Sequence, residues 1–346
     1  MTEVTTVESP APAQGVPAST AAAWSPRQLQ PVIERYGLVL AWLVIIAGFG
    51  VLRPHTFLTV ANLSAVLGSQ AVIAVLSLGV LLPMTTGDFD LSIASVLTLS
   101  AMLTAILNVN LHLPIGLAVG AALLGGAGIG LFNGLLTTTL GINSFIVTLG
   151  SGTFANGVVL WISNSDTISG VSPALVNSVV AYRLLGIPLE FYYGLALCGL
   201  IWYLFEYTRA GRLLLFVGRG RSVARLSGIR VERVRVLALT GSGFIAALAG
   251  VLYLGTTGAA DPTSGTQLLL PAFAAAFLGA TVIHPGRFNP IGTLVAVYFL
   301  VTGITGLQML GVQSYVQDLF YGGALVLAVS LSQLARRRQA LDEETR

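Results

Sequence analysis

The sequence predicts an all-α polytopic membrane protein with about ten transmembrane helices, and three observations lead to this fold class. The 346 residues are 55% hydrophobic and only 9% charged, whereas soluble globular domains carry about 25% charged residues. The mean hydropathy is high, at +0.85. Apolar segments recur from Tyr36 onward, and their lengths are close to the roughly 20 residues that a bilayer-spanning helix needs.

Residues 1–35 precede the apolar segments and are predicted to form a disordered cytoplasmic tail. Most of this stretch is rich in Pro, Ala, Ser and Thr and lacks an apolar block, so it cannot bury a core. No basic region precedes a short apolar stretch and a cleavage site, so a secretory signal peptide is not predicted.

Residues 36–335 are predicted to form the transmembrane domain. Its ten segments, in chain order, are 36–52, 63–84, 91–107, 113–140, 145–162, 185–205, 236–254, 268–282, 291–310 and 316–335.

The placement of arginine predicts the orientation of these segments. All 17 basic residues are arginine, since the sequence has no lysine, and cytoplasmic loops accumulate Lys and Arg. With ten spans and a cytoplasmic N-terminus, 15 of the 17 arginines fall on the cytoplasmic side, and only Arg53 and Arg183 do not. Eight of them lie in residues 207–235, which we call the basic loop. The C-terminal tail, 336–346, is therefore predicted to be cytoplasmic as well.

Glycines recur at intervals of four residues in the fourth segment: Gly116 and Gly120, then Gly126, Gly130 and Gly134. Small residues at this spacing let transmembrane backbones approach closely. The pattern favours helix packing, and the alternative is a face that lines a solute path.

A polar stretch separates the second and third segments: Thr86-Gly87-Asp88-Phe89-Asp90-Leu91-Ser92. In one interpretation it is a turn in which Asp90 caps a helix that starts at Leu91. In the other it is a broken helix whose carboxylates line a translocation path. The candidate path residues are Asp88, Asp90, Ser92 and Asn133.

The sequence predicts neither an enzyme nor a metal or cofactor site. The three histidines and the single cysteine, Cys198, have no metal-ligand spacing. A P-loop needs a lysine that reaches the β- and γ-phosphates, and this sequence has no lysine. If ATP drives this protein, another chain therefore hydrolyses it. The ten segments contain almost no carboxylates, which disfavours an ion-coupled carrier, because intramembrane ionisable residues mark ion routes.

Two interpretations of the basic loop follow from its composition. It either sets the orientation and contacts anionic lipid headgroups, or it forms a short amphipathic helix that docks in the groove of a soluble partner. The residues on which the second interpretation depends are Ala224, Leu226, Gly228 and Ile229.

From about residue 37 to 335 the chain resembles the permease subunits of ribose/xylose-type sugar importers, a branch of ATP-binding-cassette transporters. The stretch 86–92 is similar to the family motif T-G-G-I-D-L-S, although Asp88 stands where glycine is usual. Residues 218–229 are similar to the family's G-x-N-x-x-A-A-R-L-S-G-I loop, with Gly220 in place of Asn and Val223 in place of the first Ala. Further matching stretches are 130–136, 145–150, 271–279 and 285–293.

The resemblance implies a permease in the bacterial inner membrane that translocates a small polar solute such as a monosaccharide or polyol. It also implies a complex with a second permease copy, identical or not, with ATPase subunits and with an extracytoplasmic solute-binding protein. The residues that would contact the ATPase are Gly218, Ala224, Leu226, Ser227, Gly228 and Ile229. No nucleic acid is expected as a partner. The alternatives are an ion-coupled secondary carrier and a non-transporting membrane scaffold.

Overall fold

The computed structural model describes the backbone of residues 26–344 and the side chains of residues 35–330. Its helices are α1 (Pro26–Leu52), α2 (Pro54–Phe57), α3 (Val60–Ser69), α4 (Ala71–Thr85), α5 (Ile93–Ala105), α6 (Ile115–Thr139), α7 (Ser144–Ser163), α8 (Pro173–Val176), α9 (Leu189–Tyr207), α10 (Arg209–Arg219), α11 (Arg221–Leu226), α12 (Val231–Thr257), α13 (Thr266–Gly279), α14 (Pro290–Met309) and α15 (Tyr315–Glu344). Single π-helical turns follow α5 at Ile106–Asn110 and α8 at Asn177–Ala181.

The strands are short and pair at one end of the bundle. They are β1 (Ile168–Ser169), β2 (Arg183–Leu184), β3 (Ile187–Pro188) and β4 (Ala259–Ala260). Strands β1 and β4 pair antiparallel with Ile168 opposite Ala260, and β2 and β3 form a hairpin with Arg183 opposite Pro188.

The chain is mostly helical, as predicted, and each of the ten predicted segments overlaps a helix. In the described part of the chain, seven stretches are long and apolar enough to cross a membrane. They are Arg35–Leu52, Val60–Thr85, Ile93–Asn110, Ile115–Thr139, Ser144–Ser163, Val231–Thr257 and Pro290–Met309. Two apolar helical stretches are shorter: Thr266–Gly279 and Tyr315–Ser330. The chain is therefore a multi-pass membrane protein.

The helices at the two ends of the described chain extend beyond the predicted boundaries. Helix α1 begins at Pro26 rather than near residue 36, and proline suits the first turn of a helix. Helix α15 continues to Glu344 through a stretch rich in Ala, Arg and Glu, which are strong helix formers. Residues 1–25 of the predicted tail lie outside the described residues.

Helix α12 lies at the centre of the bundle and packs against α4, α5 and α6. Every residue of α4 is buried, and the helix is apolar apart from Ser77 and Thr85, as expected of a helix that is enclosed by others. The outer helices α1, α6 and α7 instead expose large apolar side chains, including Val44, Leu124, Phe154 and Trp161. Exposed apolar faces of this extent are typical of contact with lipid or with another membrane subunit.

Glycines allow α6 to approach the backbone of α12. A Cβ atom added at Gly126 would lie 2.6 Å from the carbonyl oxygen of Gly243, and one at Gly134 would lie 2.8 Å from the Cα of Val236. Gly130, between them, faces α12 in the same way. The predicted role in helix packing is thus correct for three glycines. The other two meet nothing within 4 Å: Gly116 and Gly120.

Substituting Gly130 by Leu should destabilise the fold, because a side chain there collides with the backbone at Leu239 and Thr240. Overpacking of this kind costs about 1–3 kcal/mol and often more where backbone must shift. The measurement is thermal unfolding of the detergent-solubilised protein. Gly128→Leu is the matched control, since Gly128 lies on the same helix with open space around it. Equal loss of stability in both variants would contradict the packing account.

Candidate functional site

The polar stretch 86–92 forms a turn between α4 and α5, which we call the α4–α5 turn. Gly87 has a φ of +78°, a left-handed conformation that glycine adopts without strain. Two amides of the turn are satisfied by α7: Phe89 N donates to Ser144 Oγ at 3.1 Å, and Leu91 N donates to Thr148 Oγ1 at 3.0 Å. Side chains of α7 therefore hold the turn in place.

Asp88 connects this turn to the basic loop and to α12. Its carboxylate is 2% exposed. Arg235, in the second turn of α12, donates Nε to Oδ2 and Nη2 to Oδ1, both at 2.7 Å, the two-point geometry that makes Arg–carboxylate pairs strong. Arg221 lies 3.0 Å from Oδ1 through Nη2, and the same atom donates to the carbonyl oxygen of Thr86 at 2.9 Å.

These arginines determine the charge state of Asp88. Burial by itself raises the pKa of a carboxyl group. The hydrogen bond from Arg235 and the positive charges of Arg221 and Arg235 outweigh burial here, so the pKa of Asp88 lies below its ordinary value. Asp88 is therefore ionised at neutral pH, and the ion pairs are maintained.

Asp90 lies in a different environment, a buried cluster without a basic partner among the described residues. Its Oδ1 accepts hydrogen bonds from the backbone amide of Ser92 at 3.1 Å and from Ser92 Oγ at 2.5 Å. Asn133 Nδ2 donates to Ser92 Oγ at 3.0 Å, and Ser242 of α12 lies beside the carboxyl group. Burial raises the pKa of Asp90. Hydrogen bonds thus connect the start of α5 to Asn133 of α6, and Ser242 brings α12 next to the cluster.

Each of the four candidate path residues is buried within the chain. Hydrogen bonds bring Asp90, Ser92 and Asn133 together, whereas Asp88 lies in the same turn but contacts the arginines. The capping interpretation is wrong: α5 starts at Ile93 with Ser92 as its N-cap residue and has no side-chain capping bond, and Asp90 instead accepts from the Ser92 amide within the turn. Asp88 instead forms the two ion pairs. Among the described residues, no group of three or more His, Cys, Asp or Glu side chains could hold a metal ion.

The basic loop contains two short helices, α10 and α11, with an exposed tip. Leu226 is 89% exposed and Val223 is 59% exposed, whereas Ala224 is fully buried against the rest of the chain. Ala224 therefore anchors α11, and its neighbours form the free surface. Gly228 has a φ of +78° and open space around its Cα.

The basic loop packs tightly against α4 at Gly218, near the C-terminal end of α10. A cleft lies between α10 and the residues that follow α11. A Cβ atom at Gly218 would collide with the carbonyl oxygen of Thr85, so this position admits only glycine without a backbone shift. The cleft has a volume of about 240 Å³. It is lined by Arg209, Arg212, Leu213, Phe216, Ser227 and Ile229. An apolar floor with a basic rim suits an amphipathic protein segment.

A clamp formed by Asn289 fixes a second turn, between α13 and α14. Its Nδ2 donates to the carbonyl oxygens of Gly279 and Val282, both at 3.0 Å, and its Oδ1 accepts from Gly292 N at 2.7 Å. Nearby, Arg287 pairs with Glu206 at 2.7 Å.

Residues 62–329 match the protein family described as "Branched-chain amino acid transport system / permease component". The chain belongs to this family. This permease is 32% identical over 302 residues to the D-allose transport system permease protein AlsC of Escherichia coli (strain K12), which covers 87% of this chain and 92% of the relative. It is 32% identical over 298 residues to the ribose import permease protein RbsC of the same strain, covering 84% and 91%.

A third relative is the L-arabinose ABC transporter permease protein AraH of Azospirillum brasilense, 28% identical over 308 residues, which covers 89% of this chain and 90% of the relative. No solved structure matches the chain. The resemblance to sugar permeases that the motifs indicate is thus confirmed across nearly the whole length of the permease.

The sequence indicates neither the partners of Asp88 nor the full set of hydrogen bonds that Asn289 makes. Arg221 and Arg235 belong to the eight arginines of the basic loop, and nothing in their local pattern separates them from the other six. Asn289 lies in a stretch that matches the family, and its position before Pro290 is a helix-start signal. That signal predicts its bond to Gly292, but not those to Gly279 and Val282.

Asp88→Asn should lower the stability of the permease, because it leaves Arg235 without its charged partner. The side chain of Arg235 is only 11% exposed. Breaking a buried pair costs about 3–5 kcal/mol, and the partial exposure of Arg235 places the expectation at the lower end. Glu232→Gln is the control, since it breaks the exposed pair with Arg225, which is worth about 0–1 kcal/mol. The two variants are compared by thermal unfolding in the same detergent. Equal unfolding midpoints would show that the buried pair of Asp88 stabilises the fold no more than the exposed pair of Glu232.

Proposed function

We propose that this permease is the membrane-spanning subunit of an ATP-driven importer of a small polar solute, with a monosaccharide as the first candidate and a polyol as the second. The proposal is supported by relatives whose names refer to allose, ribose and arabinose and that align over most of both chains. Because the sequence has no lysine, it has no P-loop lysine. In this proposal the chain is not an enzyme and binds no cofactor, and partner subunits hydrolyse ATP.

The observation that carries the proposal is the construction of the basic loop. A loop that only sets orientation needs positive charge and no defined shape. This loop instead exposes Val223 and Leu226 on α11. It packs against α4 at Gly218, and Arg221 binds it to Asp88. A loop that is tied to the bundle by such contacts and exposes apolar side chains can transmit the movement of a soluble partner to the bundle.

The proposed arrangement has ten spans, with both termini and the basic loop in the cytoplasm of a bacterial cell and the spans in its inner membrane. The arginine distribution supports this orientation. The partners are two ATPase subunits at the basic loops, a second permease copy and an extracytoplasmic solute-binding protein. The exposed apolar faces of α1, α6 and α7 leave room for the second copy and for lipid.

In this proposal the four candidate path residues contact the solute in only one state of the α4–α5 turn. Because Asp88, Asp90, Ser92 and Asn133 are enclosed within one chain, they would reach the solute only when the α4–α5 turn moves. Phe89, in the same turn, is 41% exposed and is the side chain of the turn with most access to the surroundings.

Uptake into vesicles distinguishes this proposal from its alternatives. The permease is reconstituted with its ATPase and binding protein, and labelled D-ribose, D-allose and L-arabinose are offered separately. We expect uptake of at least one sugar that requires ATP and persists when ionophores remove ion gradients. Uptake driven by a gradient without ATP would identify a secondary carrier. A complex that binds partners and moves none of a wider panel of sugars and polyols would favour a scaffold.

Gly228→Trp should uncouple ATP hydrolysis from transport while leaving membrane insertion intact. The indole would project from the exposed turn between α11 and α12, where nothing lies within 4 Å, and would separate the tip from the ATPase surface. The measurements are sugar uptake and ATPase stimulation in the same vesicles. Unchanged uptake would remove the docking role from this turn.

Gly228→Asn is the matched control for that substitution. Both variants place a side chain at a φ of +78°, but asparagine tolerates this conformation well and is small. Uptake should therefore stay close to the wild-type level in Gly228→Asn. A similar loss in both variants would trace the defect to backbone strain rather than to docking.

A further inference from the structure

The two arginines that bind Asp88 hold it in unequal ways. Arg235 makes two bonds of 2.7 Å, and its side chain is 11% exposed. Arg221 makes one contact of 3.0 Å with the carboxylate, and its side chain is 36% exposed. Water competes for a half-exposed single contact far more effectively than for a buried two-point pair. Of the two contacts, the one with Arg221 is the more easily released.

Arg221 and Arg235 also lie in parts of the molecule that are packed to different extents. Arg235 lies on α12, which is packed against α4, α5 and α6 at the centre of the bundle. Arg221 is the first residue of α11, the six-residue helix that carries the exposed Val223 and Leu226. A displacement of α11 therefore acts on Arg221 first and leaves Arg235 in place.

On the other side of the contact, Arg221 binds the α4–α5 turn at two points. It donates to the carbonyl oxygen of Thr86 through Nη2 at 2.9 Å and through Nε at 3.3 Å, in addition to its contact with Asp88. The side chain of Arg221 thus connects α11 to the α4–α5 turn. Its planar fork with several donors is suited to such a joint, and lysine cannot reproduce it.

The α4–α5 turn is in turn connected to α13. The ring of Phe89 stacks on that of Phe273 with centroids 6.5 Å apart and lies at the same distance from that of Phe277. Phe277 meets Phe288 edge-on at 5.7 Å. Directly after Phe89, the chain enters the buried cluster of Asp90, Ser92 and Asn133. Movement of the turn would therefore reach both α13 and the candidate path residues.

We propose that Arg221 is a positioning residue that joins the docking helix α11 to the α4–α5 turn, while Arg235 keeps Asp88 fixed to α12. Displacement of α11 by a partner pulls on the turn through Arg221, and the turn then shifts Phe89 and the residues behind it. The inference rests on the proposed docking of an ATPase at the basic loop. It goes further in assigning the transmission to one side chain.

The test compares three variants in the complete complex with the ATPase and binding protein, reconstituted in vesicles. Arg221→Gln removes the joint and leaves the pair of Asp88 with Arg235 intact, so the fold is retained. Arg221→Lys keeps the charge without the fork. Arg287→Gln is the control, because it breaks a half-buried ion pair of 2.7 Å with Glu206 outside the basic loop. The probe is the sugar among D-ribose, D-allose and L-arabinose that the wild type imports most.

The readout is the amount of sugar imported per ATP hydrolysed. We expect Arg221→Gln to co-purify with the ATPase and to lower this ratio at least about five-fold, the lower end of typical coupling between distant sites. Arg221→Lys should fall between Arg221→Gln and the wild type, and Arg287→Gln should match the wild type. A role limited to stability would lower the yield of complex and leave the ratio unchanged.

The outcomes separate this inference from the proposed function. If the wild type imports no sugar or polyol with ATP, the proposed function is wrong, and the joint loses its basis. If the wild type is driven by ATP and Arg221→Gln keeps the wild-type ratio, the proposed function stands and the joint is wrong. An equal fall in the ratio for Arg221→Gln and Arg287→Gln would also overturn the joint, since any ion pair at this end of the bundle would then have the same effect.

Discussion

Backbone contact between α6 and α12 is the constraint on which the other features of the permease depend. Apolar side chains gain little from meeting each other in lipid, so helices associate in a membrane largely through close packing. The glycines of α6, with Gly130 in the middle, allow that packing and fix α12 among its neighbours. The position of α12 then determines where its polar residues lie. Arg235 meets Asp88, and Ser242 lies beside Asp90.

The charges at this end of the bundle serve two physical purposes. Collectively, the arginines of the basic loop favour one orientation across the membrane, and for that purpose any of them could replace another. Individually, Arg221 and Arg235 compensate a carboxylate that is 2% exposed and would otherwise be costly to bury. The two carboxyl groups of the α4–α5 turn differ accordingly. Asp88 is ionised and paired, whereas Asp90 is surrounded by hydroxyl and amide groups without a counter-charge among the described residues.

Much of the fold could be predicted from the sequence, because hydropathy is a local property. Each of the ten apolar segments overlaps a helix, and the turn at 86–92 lies where the polar residues interrupt the pattern. The pairing of Asp88 with Arg235 could not be predicted, since the two residues are 147 positions apart and eight arginines were equally available. The burial of Ala224 beside the exposed Leu226 likewise depends on how α11 is rotated against the bundle. A six-residue helix is too short for its sequence pattern to fix that rotation.

The central claim of this account is that the permease works as part of an ATP-driven complex. The most direct test is affinity purification of the tagged chain from its native membrane in a mild detergent, with quantification of the co-purifying subunits by mass spectrometry. The account predicts a P-loop ATPase in equal amount to the permease, with the binding protein retained in part. A clean monomer or homodimer without any ATPase, under conditions that hold other such complexes together, would contradict it.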